Sequence, residues 1–185
     1  MGRLLRLHRS YLYEDAIPHV SDEINVFDFD DTLVKTKSHI YVTNSKDGTS
    51  SKLTPSQYAV YSAKPGDQFD FSDFEDVIEP EPIHHMLVKL KYSVKKLGEE
   101  NVFILTARGS PGPIRRFLEA EGVGGIRIIA LGSGDPQAKA EMIRKEVESR
   151  GVKIVKFYDD SPKNVAAVKD LRNELPGVQV LSFKV

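Results

Sequence analysis

Three aspartates stand within four positions of the segment Ile24 to Val34, "INVFDFDDTLV", directly after residues typical of a core strand. Asp28 and Asp30 are two positions apart, so in an extended chain they project to the same side, and Asp31 is expected to point away. A buried carboxylate without a partner costs several kcal/mol. The pair Asp28 and Asp30 therefore predicts a counter-charge at this place, whereas Asp31 is expected to be incidental.

Two later apolar segments also end in residues that carry chemistry. The segment "NVFIL" runs into Thr106 and Arg108, and "KIVKFY" runs into Asp159 and Asp160. Lys139 lies within the helical pattern that precedes the strand ending at Asp159. Because neighbouring parallel strands are about 4.8 Å apart, these strand ends converge if the strands are neighbours in one sheet.

A group of oxygen ligands without histidine or cysteine is typical of a Mg²⁺ site. Within this group, Asp28 is a candidate nucleophile toward phosphorus and Asp30 a candidate general acid and base. Thr106 and Lys139 offer a hydroxyl and a cation to phosphate oxygens. The candidate metal ligands are Asp28, Asp30, Asp159 and Asp160. The candidate substrate-binding residues are Thr32, Thr106, Arg108 and Lys139.

Some of these residues also fit ordinary structural roles. The last acidic pair can cap the following helix, although Ser161 is better placed for that. Arg108 fits a phosphate or substrate contact and a surface salt bridge equally well, so both interpretations remain open. Lys145 competes with Lys139 for the role of the active lysine, and the spacing to the acidic pair favours Lys139.

Apolar periodicity predicts an alternation of strands and helices. Strands are predicted over 24–29, 101–107, 126–131, 153–160 and 178–183. Helices are predicted from about 83 to 97 and over 111–123, 135–151 and 161–177. Strands this apolar, joined by helical crossovers, indicate an α/β fold with a mainly parallel five-stranded sheet covered on both faces.

The stretch from about 35 to 80 interrupts this alternation. Its pattern predicts a hairpin around Asp47 and Gly48, a short helix near 55–62, and then an acidic, aromatic loop. Ligands bind at the carboxyl ends of the strands in an open α/β sheet, so a small cap or insertion here would stand over the site. The predicted organisation is one domain over residues 1–185 with this insertion.

The composition disfavours several other classes of function. The 26 basic and 27 acidic residues give a net charge of −1, which provides no general attraction to nucleic acid or to anionic membranes. The absence of cysteine excludes disulfides and thiolate metal sites. No run approaches the roughly 18 apolar residues of a membrane span. The N-terminal segment "MGRLLRLHRSYLYEDAIP" lacks a signal-peptide pattern, and Arg6 stands where a myristoylation signal needs Ser or Thr, so a cytoplasmic protein is expected.

Taken in order, these motifs resemble those of the haloacid dehalogenase (HAD) superfamily of phosphohydrolases. The four motifs of that family are matched by Asp28-Phe29-Asp30-Asp31-Thr32, Thr106, Lys139 and Asp159-Asp160. Asp31 departs slightly from the pattern, because glycine is common at that position. The resemblance covers nearly all of 24–183 outside the insertion, and it implies a Rossmann-like three-layer α/β/α sandwich.

The resemblance implies a mechanism as well as a fold. Asp28 would attack phosphorus to form an aspartyl-phosphate, while Asp30 would protonate the leaving group and then activate water. Mg²⁺ would be held by the Asp28 carboxylate, the Asp30 backbone carbonyl, and one of the pair Asp159 and Asp160.

A finer likeness is to the 3′-phosphatase domain of phage-type polynucleotide kinases. Both have a "D-x-D-x-T-L" strand, followed after an interval by a "D-V-I-x-P" segment that opens a helix, here Asp76 to Pro80. An arginine two residues after the second-motif hydroxyl is also shared, and here it is Arg108. This likeness implies a polynucleotide 3′-phosphate or a nucleotide as the substrate.

The same residues suit other functions. A phosphatase of small sugar or metabolite phosphates would use the same site. A receiver-like phospho-acceptor domain also combines acidic residues, a Thr and a Lys on a parallel sheet, but it places its acidic pair and its acceptor Asp on different strands. A catalytically silent phosphate-binding protein would retain the fold without turnover. Hydrolysis of a generic aryl phosphate with Mg²⁺ separates the catalytic functions from the other two.

Overall fold

The computed structural model describes residues 21–185, except for the side chain of residue 59. The predictions for the N-terminal segment lie outside this range. The strands are β1 (Glu23–Phe27), β2 (Val34–Lys35), β3 (Ile40–Asn44), β4 (Ser50–Leu53), β5 (Asp67–Asp70), β6 (Glu81–Pro82), β7 (Val102–Thr106), β8 (Arg127–Ala130), β9 (Ile154–Asp159) and β10 (Gln179–Lys184). The α-helices are α1 (Pro55–Val60), α2 (His84–Leu97), α3 (Gly112–Ala120), α4 (Pro136–Arg150) and α5 (Pro162–Asp170). None of the helices in the described range combines the length and the hydropathy needed to cross a membrane.

Five of the strands form one parallel sheet in the order β10-β9-β1-β7-β8. The central strand is β1, whose last residue, Phe27, is paired with Ile104 of β7 and with Tyr158 of β9. The structure confirms the five-stranded parallel sheet that the apolar segments predict. Since all five strands run in the same direction, their carboxyl ends lie at one edge of the sheet.

The alternation of side chains along β1 separates two hydrophobic cores. Val26 belongs to the core that α4 and α5 cover, together with Ile143 of α4. Phe27 belongs to the core that α2 and α3 cover, together with Leu90 of α2. Successive side chains of a strand point to opposite faces, so helices cover both faces of the sheet. The result is a Rossmann-like three-layer arrangement.

Two of the predicted elements differ from the structure. The helix predicted over 161–177 ends at Asp170 and is followed by a 3₁₀ turn over Leu171–Asn173. The predicted end at 177 is too late, because Pro176 disfavours a helical conformation of the residue before it and Gly177 has a φ of +81°. The strand predicted over 126–131, which is β8, was expected to be buried, because its apolar sequence fits a sheet covered on both faces. It is an edge strand with one exposed and three half-buried residues, because β7 is its only partner in the sheet.

The segment between β1 and α2 forms two small antiparallel sheets, one of β4-β3-β5 and one of β2-β6. The β3–β4 hairpin and the helix α1 confirm the hairpin and the short helix predicted for this stretch. A capping box between Thr54 and Gln57 fixes the start of α1. The acidic, aromatic stretch is more ordered than the predicted loop, because β5 lies within it and is paired with β3.

Candidate functional site

The carboxyl ends of β1, β7 and β9 meet beside a cavity of about 1030 Å³. Six of the predicted site residues line this cavity: Asp28, Asp30, Thr106, Arg108, Lys139 and Asp160. Most of the remaining lining comes from the segment between β1 and α2 and from the loop between β8 and α4, and the rest from the residues after β7 and at the start of α5. Residues of the insertion therefore line the cavity at the ends of the strands.

Lys139 joins two of the acidic residues. Its Nζ donates hydrogen bonds to Asp28 Oδ1 at 2.7 Å and to Asp159 Oδ2 at 2.8 Å, and the lysine is only 2% exposed. Burial alone would lower the pKa of Lys139, but the charges of the two carboxylates raise it above the ordinary value. Lys145 instead lies on the exposed side of α4 and pairs with Glu141 at 3.5 Å. Lys139 is thus the lysine that reaches the acidic residues.

The carboxyl group of Asp28 is in an environment that disfavours its ionised form. Burial raises the pKa of Asp28 well above its ordinary value; Lys139 opposes this shift, and Asp159 and Asp30 add to it. The single ammonium group of Lys139 is shared between Asp28 and Asp159, so it compensates neither carboxylate fully. The site therefore lacks positive charge.

Three carboxylates at this edge of the sheet fit a cation. Asp28, Asp159 and Asp160 each offer one oxygen, and these oxygens lie within 4.8 Å of one another. Together with the ammonium of Lys139, the three ionised carboxylates leave two negative charges, which one divalent cation would balance. The Asp30 side chain does not belong to this cluster of carboxylates. The ligand that the resemblance implies for Asp30 is its backbone carbonyl, which stays a prediction.

The two members of the last acidic pair have different surroundings. Asp159 is fully buried, and its oxygens accept hydrogen bonds from Lys139, from the Ser161 backbone at 2.8 Å and from Asn164 at 3.0 Å. Asp160 lines the cavity, and no donor from another described residue reaches its carboxylate. Burial raises the pKa of Asp160 to about 7, with further contributions from the nearby carboxylates. Asp160 is therefore the carboxylate that is open to an ion, whereas Asp159 orients the lysine.

Arg108 is buried beside Asp30 and does not form a surface salt bridge. Its Nη2 and Nε donate to the two Asp30 carboxylate oxygens at 2.7 and 2.8 Å. Its Nη1 donates to the backbone carbonyls of Phe74 at 3.2 Å and Asp76 at 2.6 Å, both in the insertion. The rings of Phe29 and Phe74 flank the guanidinium, with centroids 5.4 and 4.7 Å from Cζ. Backbone carbonyls leave no side-chain pattern, so the sequence contains no signal for this contact.

Two residues of the first motif have roles that differ from the expectations. Thr32 was predicted to bind substrate, but it is fully buried and lies outside the cavity walls; its Oγ1 accepts a hydrogen bond from the Asp160 backbone at 3.1 Å. Asp31 was expected to be incidental. Its φ of +56° explains why glycine suits this position, and its carboxylate accepts a hydrogen bond from Ser56 of α1. Asp31 therefore links the end of β1 to the insertion.

The sequence motifs did not identify all the cavity walls. Residues 132–136, "GSGDP", line the cavity between β8 and α4, and the clustered glycines were the only local signal for a special loop. The aromatic residues Tyr58, Phe71 and Phe74 also line the cavity, although they lie outside the motifs that the sequence analysis singled out. Aromatic residues in an insertion are ordinary core formers as well, so their types alone do not indicate a site.

Comparisons with protein-family models, with curated proteins and with solved structures return no match for this chain. The function is therefore inferred from the chemistry of the residues in the cavity.

The raised pKa of Asp160 gives a test of the acidic cluster. Without metal, the folded protein holds a proton on Asp160 up to about pH 7, whereas the unfolded chain releases it near pH 3.8. The folded state thus binds more protons between these values, so the free energy of unfolding falls as pH rises through this window. Asp160→Asn should remove this decrease in the free energy of unfolding. In EDTA, the stability of the variant relative to the wild type should therefore increase from pH 4.5 to pH 8.

Urea unfolding at several pH values in EDTA measures this difference, and Asp170→Asn is a matched control because Asp170 is exposed on the surface. The free energy of unfolding of Asp170→Asn should differ from that of the wild type by the same amount at every pH. A constant offset for Asp160→Asn as well would contradict the account of a crowded acidic cluster. A divalent cation that binds this cluster should stabilise the wild type more at pH 8 than at pH 5.5, because an ion that binds only the folded state raises its stability and competes with protons.

Proposed function

We propose that this protein is a Mg²⁺-dependent phosphomonoesterase of the HAD type, which acts through an aspartyl-phosphate on Asp28. The observation that carries the proposal is the position of Asp28 at the end of the central parallel strand, bonded to Lys139 and facing a cavity. Thr106 and Arg108 line the same cavity, and both can bind phosphate oxygens. Lys139 balances the charge of this largely buried acidic cluster only in part, so the cluster would be costly without a bound cation.

The proposed metal site consists of oxygen donors from Asp28 and Asp160, and Asp159 holds Lys139 in place. The chemistry of this donor set favours Mg²⁺, since it contains carboxylates and no sulfur or imidazole. When bound, the ion would supply positive charge next to the phosphate oxygens and the Asp28 carboxylate. It would also favour the ionised, nucleophilic form of Asp28 over the protonated form that burial favours.

The proposed reaction has two steps. In the first, an oxygen of Asp28 forms a bond to phosphorus while the bond to the leaving alcohol oxygen breaks, and Asp30 donates a proton to that oxygen. In the second, Asp30 takes a proton from a water molecule whose oxygen attacks the same phosphorus. This releases inorganic phosphate and restores Asp28. Lys139 and Thr106 would contact the oxygens on which negative charge accumulates.

Arg108 provides a way to couple substrate binding to the acid. Both oxygens of Asp30 are occupied by the Arg108 guanidinium, so Asp30 has to leave this pair before it can protonate an alcohol. A phosphate dianion in the cavity is a strong bidentate partner for a guanidinium. We therefore infer that the substrate phosphate replaces Asp30 as the partner of Arg108 and frees the carboxyl group for proton transfer.

Hydrolysis of p-nitrophenyl phosphate tests this proposal. We expect steady turnover in Mg²⁺ and its loss, by at least about 10²-fold, in EDTA, with recovery when Mg²⁺ is restored. Equal rates in EDTA and Mg²⁺ would contradict the metal-dependent mechanism. A stable phosphoprotein without turnover would indicate a phospho-acceptor domain, and no reaction with any phosphomonoester would indicate a silent phosphate-binding protein.

A further inference from the structure

The insertion supplies an aromatic surface to the cavity, formed by Tyr58, Phe71 and Phe74, which we call the aromatic wall. All three residues line the same cavity as Asp28 and Lys139. Phe74 contacts Arg108, with 4.7 Å between the ring centroid and Cζ, so the wall begins directly beside the proposed phosphate position. A phosphate bound there would have its alcohol portion next to these rings.

The rings of the wall are packed in a fixed geometry. Phe71 meets Tyr58 at 5.4 Å and 83°, and it meets Phe74 at 6.3 Å and 62°, which are edge-to-face arrangements. Phe69 supports the wall from β5, at 5.5 Å from the Tyr58 ring. Despite these contacts, Phe71 is 44% exposed. An exposed phenylalanine at the wall of a cavity leaves apolar surface in water that a ligand can cover.

Tyr58 also reaches across the cavity to the loop between β8 and α4. A Cβ atom at Gly134 would lie 2.9 Å from Tyr58 Cε1, so the absence of a side chain at Gly134 permits this contact. The ring of Tyr58 thus spans from the insertion to the opposite loop. The aromatic wall therefore continues from the insertion to the loop between β8 and α4 at this side of the cavity.

The charged residues that line the cavity limit how many negative charges a bound substrate can carry. Among the described residues that line it, Arg108 and Lys139 are the only basic ones, and both are bonded to site carboxylates. Asp70 and Glu75 add negative charge beside the aromatic wall. A ligand with several phosphates, such as a polynucleotide, needs further cations along its backbone. The lining thus suits a substrate with one phosphate and an uncharged remainder.

We infer that the aromatic wall binds a planar aromatic ring in the alcohol part of a small phosphomonoester, with the ring against Phe71. The ring can be a nucleobase or another aryl group, because both offer the same flat apolar face. This inference rests on the proposed phosphatase function and narrows its substrate class to single nucleotides and aryl phosphates. Of the two substrates that the finer sequence likeness implies, it favours the nucleotide over the polynucleotide 3′-end.

Steady-state kinetics with Mg²⁺ tests this inference on four substrates: a nucleoside monophosphate, phenyl phosphate, a hexose phosphate and a 3′-phosphorylated oligonucleotide. Stacking on an aromatic side chain contributes about 1–3 kcal/mol per ring, so kcat/KM should be about 5- to 150-fold higher for the two ring-containing monoesters than for the hexose phosphate. Phe71→Leu keeps an apolar side chain but removes the ring. It should lower this ratio about tenfold, mainly through KM.

Tyr92→Leu is the matched control, because Tyr92 is 65% exposed on α2 and does not line the cavity. It should leave the ratio unchanged. A preference for the hexose phosphate, or a ratio that Phe71→Leu does not change, would overturn the inference. A kcat/KM for the 3′-phosphorylated oligonucleotide that is tenfold higher than that for the matched nucleoside monophosphate would also overturn the inference.

Binding of adenosine separates this inference from the proposed function. If no phosphomonoester turns over, the phosphatase proposal fails, but the aromatic wall should still bind adenosine, detected by saturation-transfer NMR. Phe71→Leu should then weaken this binding about tenfold and Tyr92→Leu should not. Equal binding of adenosine to the wild type and to Phe71→Leu would overturn the aromatic wall as a ring-binding site.

Discussion

Asp28→Asn is expected to abolish phosphate release, with a loss in kcat on the order of 10⁴-fold or more, because an amide oxygen does not form the bond to phosphorus. The fold should be retained. The amide introduced at this position would keep an acceptor oxygen for the Lys139 ammonium, and burial already disfavours the ionised form of Asp28. Initial rates with p-nitrophenyl phosphate and Mg²⁺, together with thermal unfolding, measure both expectations.

Asp31→Asn is the matched control for this substitution. It removes one carboxylate from the same motif, at a position whose side chain bonds Ser56 rather than Lys139. We expect its rate to stay within about threefold of the wild type, as is typical of a charge change outside the reacting atoms. Turnover by Asp28→Asn at a rate near that of the control would exclude Asp28 as the nucleophile.

Asp30→Asn is expected to lower the rate by about 10²–10⁴-fold, which is the usual contribution of a general acid and base. The loss should depend on the leaving group. Phenyl phosphate needs a proton on the departing oxygen, whereas p-nitrophenolate leaves readily without one, so phenyl phosphate should suffer the larger loss. Both substrates carry one aromatic ring, so the aromatic wall affects them alike.

Glu75→Gln serves as the control for Asp30→Asn, because it removes a different carboxylate from the same cavity. Its effect should be small and equal for the two substrates. Asp30→Asn also removes one charge from the pair with Arg108, so its thermal stability has to be measured beside its rate. Equal losses with phenyl and p-nitrophenyl phosphate in a folded Asp30→Asn protein would contradict the assignment of Asp30 as the acid.

The sequence was sufficient to predict the framework of the site. Apolar runs ending in Asp28, Thr106 and Asp159 predicted strands of one parallel sheet, whose ends converge if the strands are neighbours. The structure shows that β1, β7 and β9 are adjacent. Side chains at the carboxyl ends of adjacent parallel strands lie close together, because adjacent strands are only about 4.8 Å apart. The interval from Lys139 to Asp159 likewise corresponds to a helix followed by the next strand.

Other parts of the site could not be read from the sequence. Arg108 and Asp30 are far apart in the chain, so their pairing leaves no local sequence pattern. The backbone carbonyls of the insertion that orient the Arg108 guanidinium leave none either. The strand β5 has the sequence "DQFD", in which charged and polar residues hide the alternation that usually identifies a strand. Asp159 and Asp160 have different roles because Asp159 bonds Asn164 whereas Asp160 lines the cavity. The sequence shows only two adjacent aspartates, so it does not predict which of them has which role.

Trapping of the phosphoenzyme tests the central claim most directly. The Asp30→Asn protein, in which the second step should be slow, is mixed with an excess of p-nitrophenyl phosphate and Mg²⁺ and quenched in acid within the first turnovers. Peptide mass spectrometry then locates the phosphate. We predict a hydroxylamine-labile phosphate on Asp28, absent from Asp28→Asn. Turnover without any protein-bound phosphate, or a phosphate on another residue such as Asp160, would contradict the account.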